Sequence, residues 1–433
     1  QLPPAYYSVV APTPLPQPRL LAFNPDAAAL IGLDPAEAQR AEFVETMAGN
    51  RALPGGVHIA TLYAGHQFGV YVPQLGDGRA ILIGQTRNAN GTLWELQLKG
   101  AGKTPYSRFG DGRAVLRSTI REYLCGEAMH GLGIPTTRAL CIVGSSEPVQ
   151  RETVETAAVL CRMAPSHFRF GHFEVFYYRQ EFDRLAPLAD HIIAEHFPQF
   201  AGRAGSYAAW LTEVVERTAR LVAQWQAVGF CHGVMNSDNM SVLGLTLDYA
   251  PYGFMDAFDS GHVCNHSDET GRYAYDQQPG VGHWNCSRLL QATLPLLDPD
   301  PEKAVGIAHE ILERYGAAYV KENLENWRAK FGLRDAQETD AGLINDWLNI
   351  LDRSKADFTR SFRALAQTRV DSDAPPPLHD LIPDAAFDAW LADYRARLRQ
   401  EQSADSERSA RMNQVNPKYV LRNHRVQIAI EQA

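Results

Sequence analysis

The stretch of sequence that decides the fold reads FCHGVMNSDNMSVLGLTLDYAPYGFMD, residues 230–256. It carries NSDN (236–239) and then LTLDY (245–249), which contain Asn239 and Asp248. Amide and carboxylate oxygens are the ligands that magnesium, a hard cation, prefers. In a lone NSDN segment, Asn and Asp side chains more often bond to the backbone of their own turn. The surrounding pattern therefore decides between a metal site and a plain turn.

The surrounding pattern is that of a protein-kinase catalytic loop, which reads H-R-D-x-x-x-x-N, then two short strands, then D-F-G. His232 begins the loop, Asn239 falls at the Asn position, and Asp248 falls at the Asp of the last triplet. At this spacing we interpret Asn239 and Asp248 as magnesium ligands. Val234 stands where kinases have their catalytic Asp, so the usual base is absent. Asp238 is the nearest carboxylate that could accept a hydroxyl proton.

A lysine at the end of a predicted strand is the second feature. RAILIGQ (79–85) and LWELQLK (93–99) predict two strands joined by an NANG turn, and alternation places Lys99 on the polar face of its strand. A helix predicted over 113–131 then presents Glu122, and kinase folds use such a pair to aim an ammonium at phosphates. Taken singly, the lysine would more often lie in solvent and the glutamate would pair with a neighbouring arginine.

Arginines and glycines supply what a phosphate site needs. The chain from Lys99 reads KGAGKTPYSRFGDGR (99–113), whose glycines let the backbone approach a ligand closely. Arg162 and Arg169, separated by a proline-containing turn, could both clamp a polyphosphate. Arg79, in LGDGRA, would add positive charge. KGAGKTP lacks the G-x-x-x-x-G-K-[ST] spacing of a Walker loop, so that type of site is excluded.

The composition, 45% hydrophobic and 21% charged residues, indicates a globular protein with a real core. A net charge of -9 argues against a nucleic-acid partner and requires any phosphate site to concentrate its own cations. No apolar run approaches the roughly 18 residues of a membrane span, and the N-terminus lacks a signal-peptide pattern. Six scattered cysteines predict free thiols in a reducing compartment. We expect a soluble intracellular protein with no membrane partner.

The order of predicted elements indicates an α+β, protein-kinase-like bilobal fold with a β-rich N-lobe and a mainly helical C-lobe. A proline-rich arm (1–20) and a helical stretch (26–48) come first, and the chain is mostly helical after Phe170, with a strand-like interruption over 241–254. Further predicted elements are strands over 137–144 and 156–164 and a helix over 206–228. The predicted domains are an N-terminal extension packed on the core (1–57), an N-lobe with nucleotide-binding turns (58–150), and a C-lobe with the catalytic and metal-binding loop and the C-terminal helices (151–433).

Together these segments resemble the selenoprotein O family from about residue 5 to the end. The most specific are LKGAGKTPYSRFGDGRAVLRSTIREYL (98–124) and HGVMNSDNMSVLGLTLDYAPYGFMD (232–256). Other matching segments are YAGHQFG (63–69), LGDGRA (75–80), HGLGIPTTRAL (130–140), VCNHSDETGRYAYDQQP (263–279) and MNQVNPKYVLRN (412–423). The resemblance implies a pseudokinase-like enzyme that binds ATP inverted relative to kinases. It would transfer AMP to Ser, Thr or Tyr hydroxyls of proteins, including itself, and release pyrophosphate.

The resemblance also implies a role for each matching residue. The residues that hold the phosphates would be Lys99, Arg162 and Arg169, with Glu122 orienting Lys99. The residues of the nucleotide-contacting turns would be Gly76, Gly78, Arg79, Asp111 and Gly112. Magnesium, or manganese in its place, would be bound by Asn239 and Asp248, and Asp238 would be the base. Inversion brings the α-phosphate to the metal, so the base need not stand at the Val234 position.

Two departures from the family pattern stand out. Ala250 follows Asp-Tyr where the family has Gly, which removes backbone freedom but no chemistry. Family members commonly end with a Cys or selenocysteine that can pair with an internal Cys, here Cys264. The sequence has no later Cys beyond Cys286, so no redox switch can be read from it. A zinc site built from these cysteines and His262, His266 and His283 is disfavoured, because their spacing lacks the C-x-x-C pairs of structural zinc sites.

Two rival functions remain from other classes: a conventional kinase that transfers the γ-phosphoryl group, and a catalytically silent ATP-binding scaffold. Val234 counts against the first. A complete metal site counts against the second, since the intact set is Lys99, Glu122, Asp238, Asn239 and Asp248. Use of UTP, the protein targets and the preferred hydroxyl stay open. The expected location is a bacterial cytoplasm, or a mitochondrion if the source is eukaryotic.

Overall fold

The structure, a computed structural model, describes residues 2–372 and 377–433. Its strands are β1 (Tyr7–Val9), β2 (Arg19–Phe23), β3 (Ile59–Thr61), β4 (Gly65–Gln67), β5 (Val70–Val72), β6 (Ala80–Arg87), β7 (Leu93–Lys99), β8 (Ala114–Val115), β9 (Arg138–Gln150), β10 (Val154–Ala164), β11 (Phe230–Cys231) and β12 (Gly253–Phe254). Its helices are α1 (Pro25–Leu30), α2 (Ala41–Met47), α3 (Leu116–Gly131), α4 (Gly171–Tyr178), α5 (Leu185–His196), α6 (Ser206–Ala227), α7 (Gln278–Leu297), α8 (Pro301–Phe331), α9 (Asp340–Ser354), α10 (Phe358–Leu365), α11 (Phe387–Glu401), α12 (Asp405–Val415) and α13 (Asn423–Glu431).

One antiparallel sheet dominates the first part of the chain, in the order β1-β3-β6-β7-β10-β9-β2, with β8 beside β10. β6 and β7 form the predicted hairpin, in which Ala80 pairs with Lys99 and Arg87 pairs with Leu93. The proline-rich arm supplies both edges, because β1 pairs with β3 and β2 pairs with β9. Short strands therefore close the sheet on both sides, which limits pairing with other chains.

β7 carries Lys99 and separates two different environments. Leu96 and Leu98 lie in an apolar cluster on one face of the sheet. Glu95, Gln97 and Lys99 lie on the other face, as the alternation predicts, and they are buried as well. Buried polar groups are stable only when they are paired, and each of these three has a hydrogen-bond partner. The polar face of β7 is thus an organised network inside the protein.

α3 confirms the helix predicted over 113–131 and packs against β9 and β10. Its buried face includes Glu122, Cys125 and Met129, which are spaced at three and four residues and so lie on one side of the helix. This geometry turns Glu122 toward the polar face of β7.

The second part of the chain is mainly helical, as predicted. α6 confirms the helix predicted over 206–228, with Trp210, Val214 and Leu221 on its buried face, and it packs against α7 and α8. A separate apolar cluster joins α8 to the helices that follow it, with Trp347 and Trp390 at its centre. These contacts hold the C-terminal helices on the rest of the helical region.

Two predicted elements differ from the structure. The stretch 26–48 is broken into α1, a 3-10 turn (Pro35–Gln39) and α2, because Gly32 adopts a left-handed conformation (φ 67°) and proline follows. The strand-like stretch 241–254 forms mostly turns and isolated bridges and contains only the short β12. Asp248 has a positive φ of 56°, which ends any extended run there.

The α+β class predicted from the sequence is confirmed by the sheet and the helical region that follows it. The division into domains at residues 57 and 150 stays a prediction; the sheet itself continues through β10 to Ala164. Within residues 2–372 and 377–433, no helix has the length and apolar character needed to cross a membrane.

Candidate active site

A cavity of about 690 Å³ lies between the sheet and the segment 234–250. The predicted site residues that line it are Gly76, Gly78, Arg79, Lys99, Asp111, Gly112, Arg162, Asp238, Asn239 and Asp248. The other two predicted residues contact this lining: Arg169 bonds to Asp248, and Glu122 bonds to Arg162 and lines an adjoining cavity. The structure therefore brings all the predicted residues together, although they come from positions 76 to 248 of the chain.

Lys99 lies between two carboxylates. Its Nζ donates to Glu122 Oε2 at 2.5 Å and to Asp248 Oδ1 at 3.1 Å. Burial lowers the pKa of Lys99, and the two carboxylates oppose that effect. The surface-lysine alternative is therefore wrong, because the ammonium is buried and held by an α3 glutamate.

Arg162 and Arg169 converge on the same Asp248. Arg162 donates to Asp248 Oδ1, to Glu122 Oε1 at 3.0 Å and to Gln97 Oε1 at 2.7 Å. Arg169 donates to Asp248 Oδ2 and to the backbone oxygen of Asp238 at 2.9 Å. Burial disfavours the charged form of Asp248, but the two guanidinium groups and Lys99 outweigh it and hold the pKa of Asp248 well below its usual range. Three buried cations thus face one cavity-lining carboxylate.

The surroundings of the Asp238 carboxylate differ from those of Asp248. It lies in a 3-10 turn (Ser237–Asn239) and is buried, and no Lys, Arg or His of the described chain forms an ion pair with its carboxylate. Its one side-chain partner is Gln67, whose Nε2 lies 3.3 Å from Asp238 Oδ2. Burial raises the pKa of Asp238 to about 7, against a partly opposing effect of Arg169. A carboxylate with such a pKa can hold or release a proton near neutral pH.

Asn239 and Asp248 offer the donor types that magnesium uses. Asn239 donates its amide nitrogen to the backbone oxygen of Val234 at 3.0 Å, which leaves its carbonyl oxygen as an acceptor. Magnesium commonly takes one or two protein oxygens and completes its shell with water and substrate phosphates. The pair therefore fits a magnesium ion that arrives together with a nucleotide. Over the described ranges, no three or more His, Cys, Asp or Glu side chains form a metal cluster.

Two glycine turns bring the backbone to the cavity. Gly76 and Gly112 have φ values of 101° and 75°, which favour glycine. A Cβ on Gly112 would lie 2.1 Å from the backbone carbon of Gly102, so no other residue fits. Next to these turns, Asp111 pairs with Arg151 at 2.8 Å, and the Arg151 hydrogen bond is the main reason why the pKa of Asp111 is lowered.

Sequence reasoning missed the hairpin of β4 and β5, which packs against the Ser237–Asn239 turn. Gln67 lines the cavity, and its neighbour His66 pairs through Nδ1 with the buried Glu174 at 2.6 Å. Both residues lie in the segment YAGHQFG (63–69). The adjacent His and Gln between non-polar neighbours are the feature of the sequence that could have indicated a functional role. Tyr63, also in this segment, lies under the guanidinium of Arg169 at 5.1 Å.

The cysteines near the segment 234–250 contact backbone oxygens or are packed in the core. Cys264 donates to the backbone oxygens of Cys231 and Pro251, each at 3.4 Å. Cys286 is fully buried in α7, and His283 packs on the ring of Tyr315. Both thiols and one imidazole of the zinc alternative are thus engaged in packing and backbone contacts.

Comparison with known proteins identifies the family of this chain. The family described as "Protein adenylyltransferase SelO" matches residues 1–433. The chain is 58% identical to the protein nucleotidyltransferase YdiU of Methylococcus capsulatus, over 99% of this chain and 85% of that protein. It is 56% and 55% identical to the proteins of that name from Myxococcus xanthus and Thiobacillus denitrificans, over 100% of this chain and 88% of each relative. The chain therefore belongs to the protein adenylyltransferase SelO family.

Proposed function

We propose that this protein transfers AMP from ATP to Ser, Thr or Tyr hydroxyls of proteins, including itself, and releases pyrophosphate. The observation that carries this proposal is the contrast between two carboxylates of one cavity. Asp248 is surrounded by cations, whereas Asp238 is buried and no cation among residues 2–372 and 377–433 pairs with its carboxylate. The first suits a place among metal and phosphates, and the second suits proton transfer.

The phosphate-binding residues of this proposal are Lys99, Arg162 and Arg169, with Glu122 fixing Lys99. Their charges are buried, where an electrostatic interaction with phosphate is stronger than in water. Arg79 is exposed at the cavity wall, and no carboxylate in the described part of the chain pairs with it, so its guanidinium is free for a phosphate. An acidic protein thereby gains the local positive charge that a nucleotide requires.

Asn239 and Asp248 would hold magnesium, and manganese could take its place. A divalent cation there would stabilise the negative charge that develops on the phosphate oxygens during transfer. Asp248 would contact both metal and nucleotide, and the turns with Gly76, Gly78, Asp111 and Gly112 would lie against the nucleotide.

At the α-phosphorus, the reaction forms one bond and breaks one. The hydroxyl oxygen of the protein substrate attacks the α-phosphorus, and the bond from that phosphorus to the bridging oxygen of pyrophosphate breaks. The hydroxyl proton passes to Asp238, which later releases it to water. Lys99, Arg162 and Arg169 stabilise the departing pyrophosphate. The absence of a carboxylate at Val234 fits a nucleotide inverted relative to kinases, because the base then stands beside the α-phosphate.

The test uses ATP labelled at the α- or the γ-phosphate, incubated with the purified protein and magnesium. Protein labelled only from the α-phosphate, with Asp238→Ala unlabelled but still binding ATP, is the expected result. Label from the γ-phosphate alone would establish a kinase. No label from either, with tight ATP binding, would leave a nucleotide-binding scaffold.

The partners of this proposal are ATP and proteins that present a hydroxyl at the cavity. Replacing ATP by UTP with manganese in the same assay defines the choice of nucleotide. We place the reaction in a bacterial cytoplasm, because the six cysteines are free thiols, as a reducing compartment requires.

A further inference from the structure

The hairpin of β4 and β5 forms direct hydrogen bonds with the segment that carries the proposed base. His66 donates its backbone N–H to Ser237 Oγ at 2.7 Å, and Phe68 donates its backbone N–H to Asn236 Oδ1 at 3.3 Å. Phe68 N–H also lies 2.8 Å from the Tyr273 hydroxyl oxygen, which in turn donates to Asn236 at 2.6 Å. The backbone amides of His66 and Phe68 therefore fix the hairpin to Ser237 and Asn236, the two residues that precede Asp238.

Glycine at position 65 allows this close approach. A Cβ on Gly65 would lie 2.6 Å from Asp238 Oδ1 and 2.7 Å from Asp238 Cβ, closer than real contacts allow. The hairpin backbone therefore covers one oxygen of the carboxylate, and Asp238 Oδ1 is buried with no hydrogen-bond partner in the described chain. Oδ2 is the oxygen left to face the cavity and to receive a proton.

Gln67 is directed at that oxygen by its position in β4. Side chains alternate along a strand, and His66 is turned to the opposite side, where Glu174 holds it at 2.6 Å in a buried pair. Gln67 consequently lines the cavity, and its Nε2 lies 3.3 Å from Asp238 Oδ2. Hydrogen bonds of catalytic groups are often long in the free enzyme and tighten once substrate is bound.

We propose that Gln67 is a positioning residue, whose amide fixes the orientation of the Asp238 carboxylate so that Oδ2 points at the incoming hydroxyl. This proposal rests on the proposed function, since it assigns the base role to Asp238. The carboxylate could otherwise turn about its terminal bond, a torsion with broad preferences. Gly65 blocks one oxygen by its backbone, and Gln67 holds the other by one hydrogen bond. The β4–β5 hairpin is thereby part of the catalytic apparatus although it lies outside the kinase-like motifs.

The experiment compares Gln67→Met, which keeps the length of the side chain but has no donor, with Gln67→Glu, which also adds a like charge. Hydrogen bonds to charged groups contribute enough to change a rate by about ten- to a hundredfold. We expect kcat for α-phosphate transfer to fall by about that factor in Gln67→Met and further in Gln67→Glu. The KM and Kd for ATP and the melting temperature should stay at wild-type values. Gln74→Met is the matched control, because Gln74 is exposed and its side chain bonds to the exposed Arg179.

A double-variant cycle separates positioning of Asp238 from a general structural effect. In the Asp238→Asn background, Gln67→Met should cause no further loss of kcat, because the carboxylate that it positions is gone. Wild-type kcat in Gln67→Met, or losses that multiply in the double variant, would overturn the role of Gln67. If Asp238→Asn itself kept full transfer, the base assignment would fail instead, and that result is independent of Gln67.

Discussion

Asp248→Asn is the substitution that best tests how the charges of the site are arranged. In the free protein, Asp248 contacts Lys99, Arg162 and Arg169 at once. The same three cations are proposed to bind phosphate. Asp248 therefore occupies the groups that a polyphosphate must reach, and an uncharged amide in its place should have two opposite effects: a less stable free protein and a tighter site for metal-free pyrophosphate.

The structure indicates the size of both effects. Removing one partner of a buried ion pair costs about 3–5 kcal/mol. Asp248 is 19% exposed, and Lys99 and Arg162 keep Glu122 as a partner, so the lower end, ~3 kcal/mol, applies. The melting temperature of a chain of 433 residues should fall by about 3 °C. Freed from competition by a carboxylate, the cations should bind pyrophosphate at least about tenfold more tightly, which corresponds to ~1.4 kcal/mol.

The assay is calorimetric titration of pyrophosphate in EDTA, together with melting curves at each pyrophosphate concentration. Asp384→Asn is the control, because Asp384 pairs with Arg353 and does not line this cavity. The control should change both quantities little. If Asp248→Asn melts lower but binds metal-free pyrophosphate no more tightly than wild type, then these three cations are not the phosphate site. With magnesium and ATP present, Asp248→Asn should lose AMP transfer, because its metal ligand is gone.

Three other predictions follow from single contacts. Gly65→Ala should lower kcat by about ten- to a hundredfold with an unchanged KM for ATP, because the new Cβ displaces Asp238; wild-type kinetics would contradict this. Arg169→Lys should raise the KM for ATP about tenfold, because an ammonium lacks the planar fork of donors with which a guanidinium can hold Asp248 and a phosphate at once; an unchanged KM would contradict it. Burial lowers the pKa of Lys330 to about 7, so wild-type stability relative to Lys330→Met should rise between pH 7 and 10, as melting curves at each pH can show; a pH-independent difference would contradict it.

The pairing of Lys99 with Glu122 could be predicted because a strand and a helix each fix which side chains share a face. The alternation of LWELQLK places Lys99 on the same side as Glu95 and Gln97, and the structure has all three on one polar face. The sequence could not show that this face is fully buried. Burial depends on α3 and the segment after β10, which reach β7 only through the folded chain.

The convergence of Arg162 and Arg169 on Asp248 could not be worked out from their spacing. Arg162 is a β10 residue opposite Gln97, whereas Arg169 lies beyond the strand and bridges to Ser241. The two guanidinium groups therefore approach Asp248 from different elements; the sequence grouped them at one polyphosphate but gave no sign that they meet at Asp248.

Gln67 was missed for a related reason. It is separated from Asp238 by 171 positions, and no local period connects β4 with the catalytic segment. The misjudged stretch over 241–254 shows the converse error, since its strand-like composition predicted an extended run. The left-handed conformation of Asp248 turns the chain instead and aims the carboxylate at the cations.

The charge arrangement explains how a protein with a net charge of -9 can hold a polyanion. Three buried cations without carboxylates would carry a large desolvation cost in the free protein, and Glu122 and Asp248 offset it. Glu122 lines an adjoining cavity, whereas Asp248 lines the cavity of Arg162, Asp238 and Asn239. A phosphate can take over the cations only when the charge of Asp248 is satisfied by another group. A divalent cation bound by Asp248 and Asn239 is such a group, so metal and nucleotide should each increase the affinity for the other by the same factor.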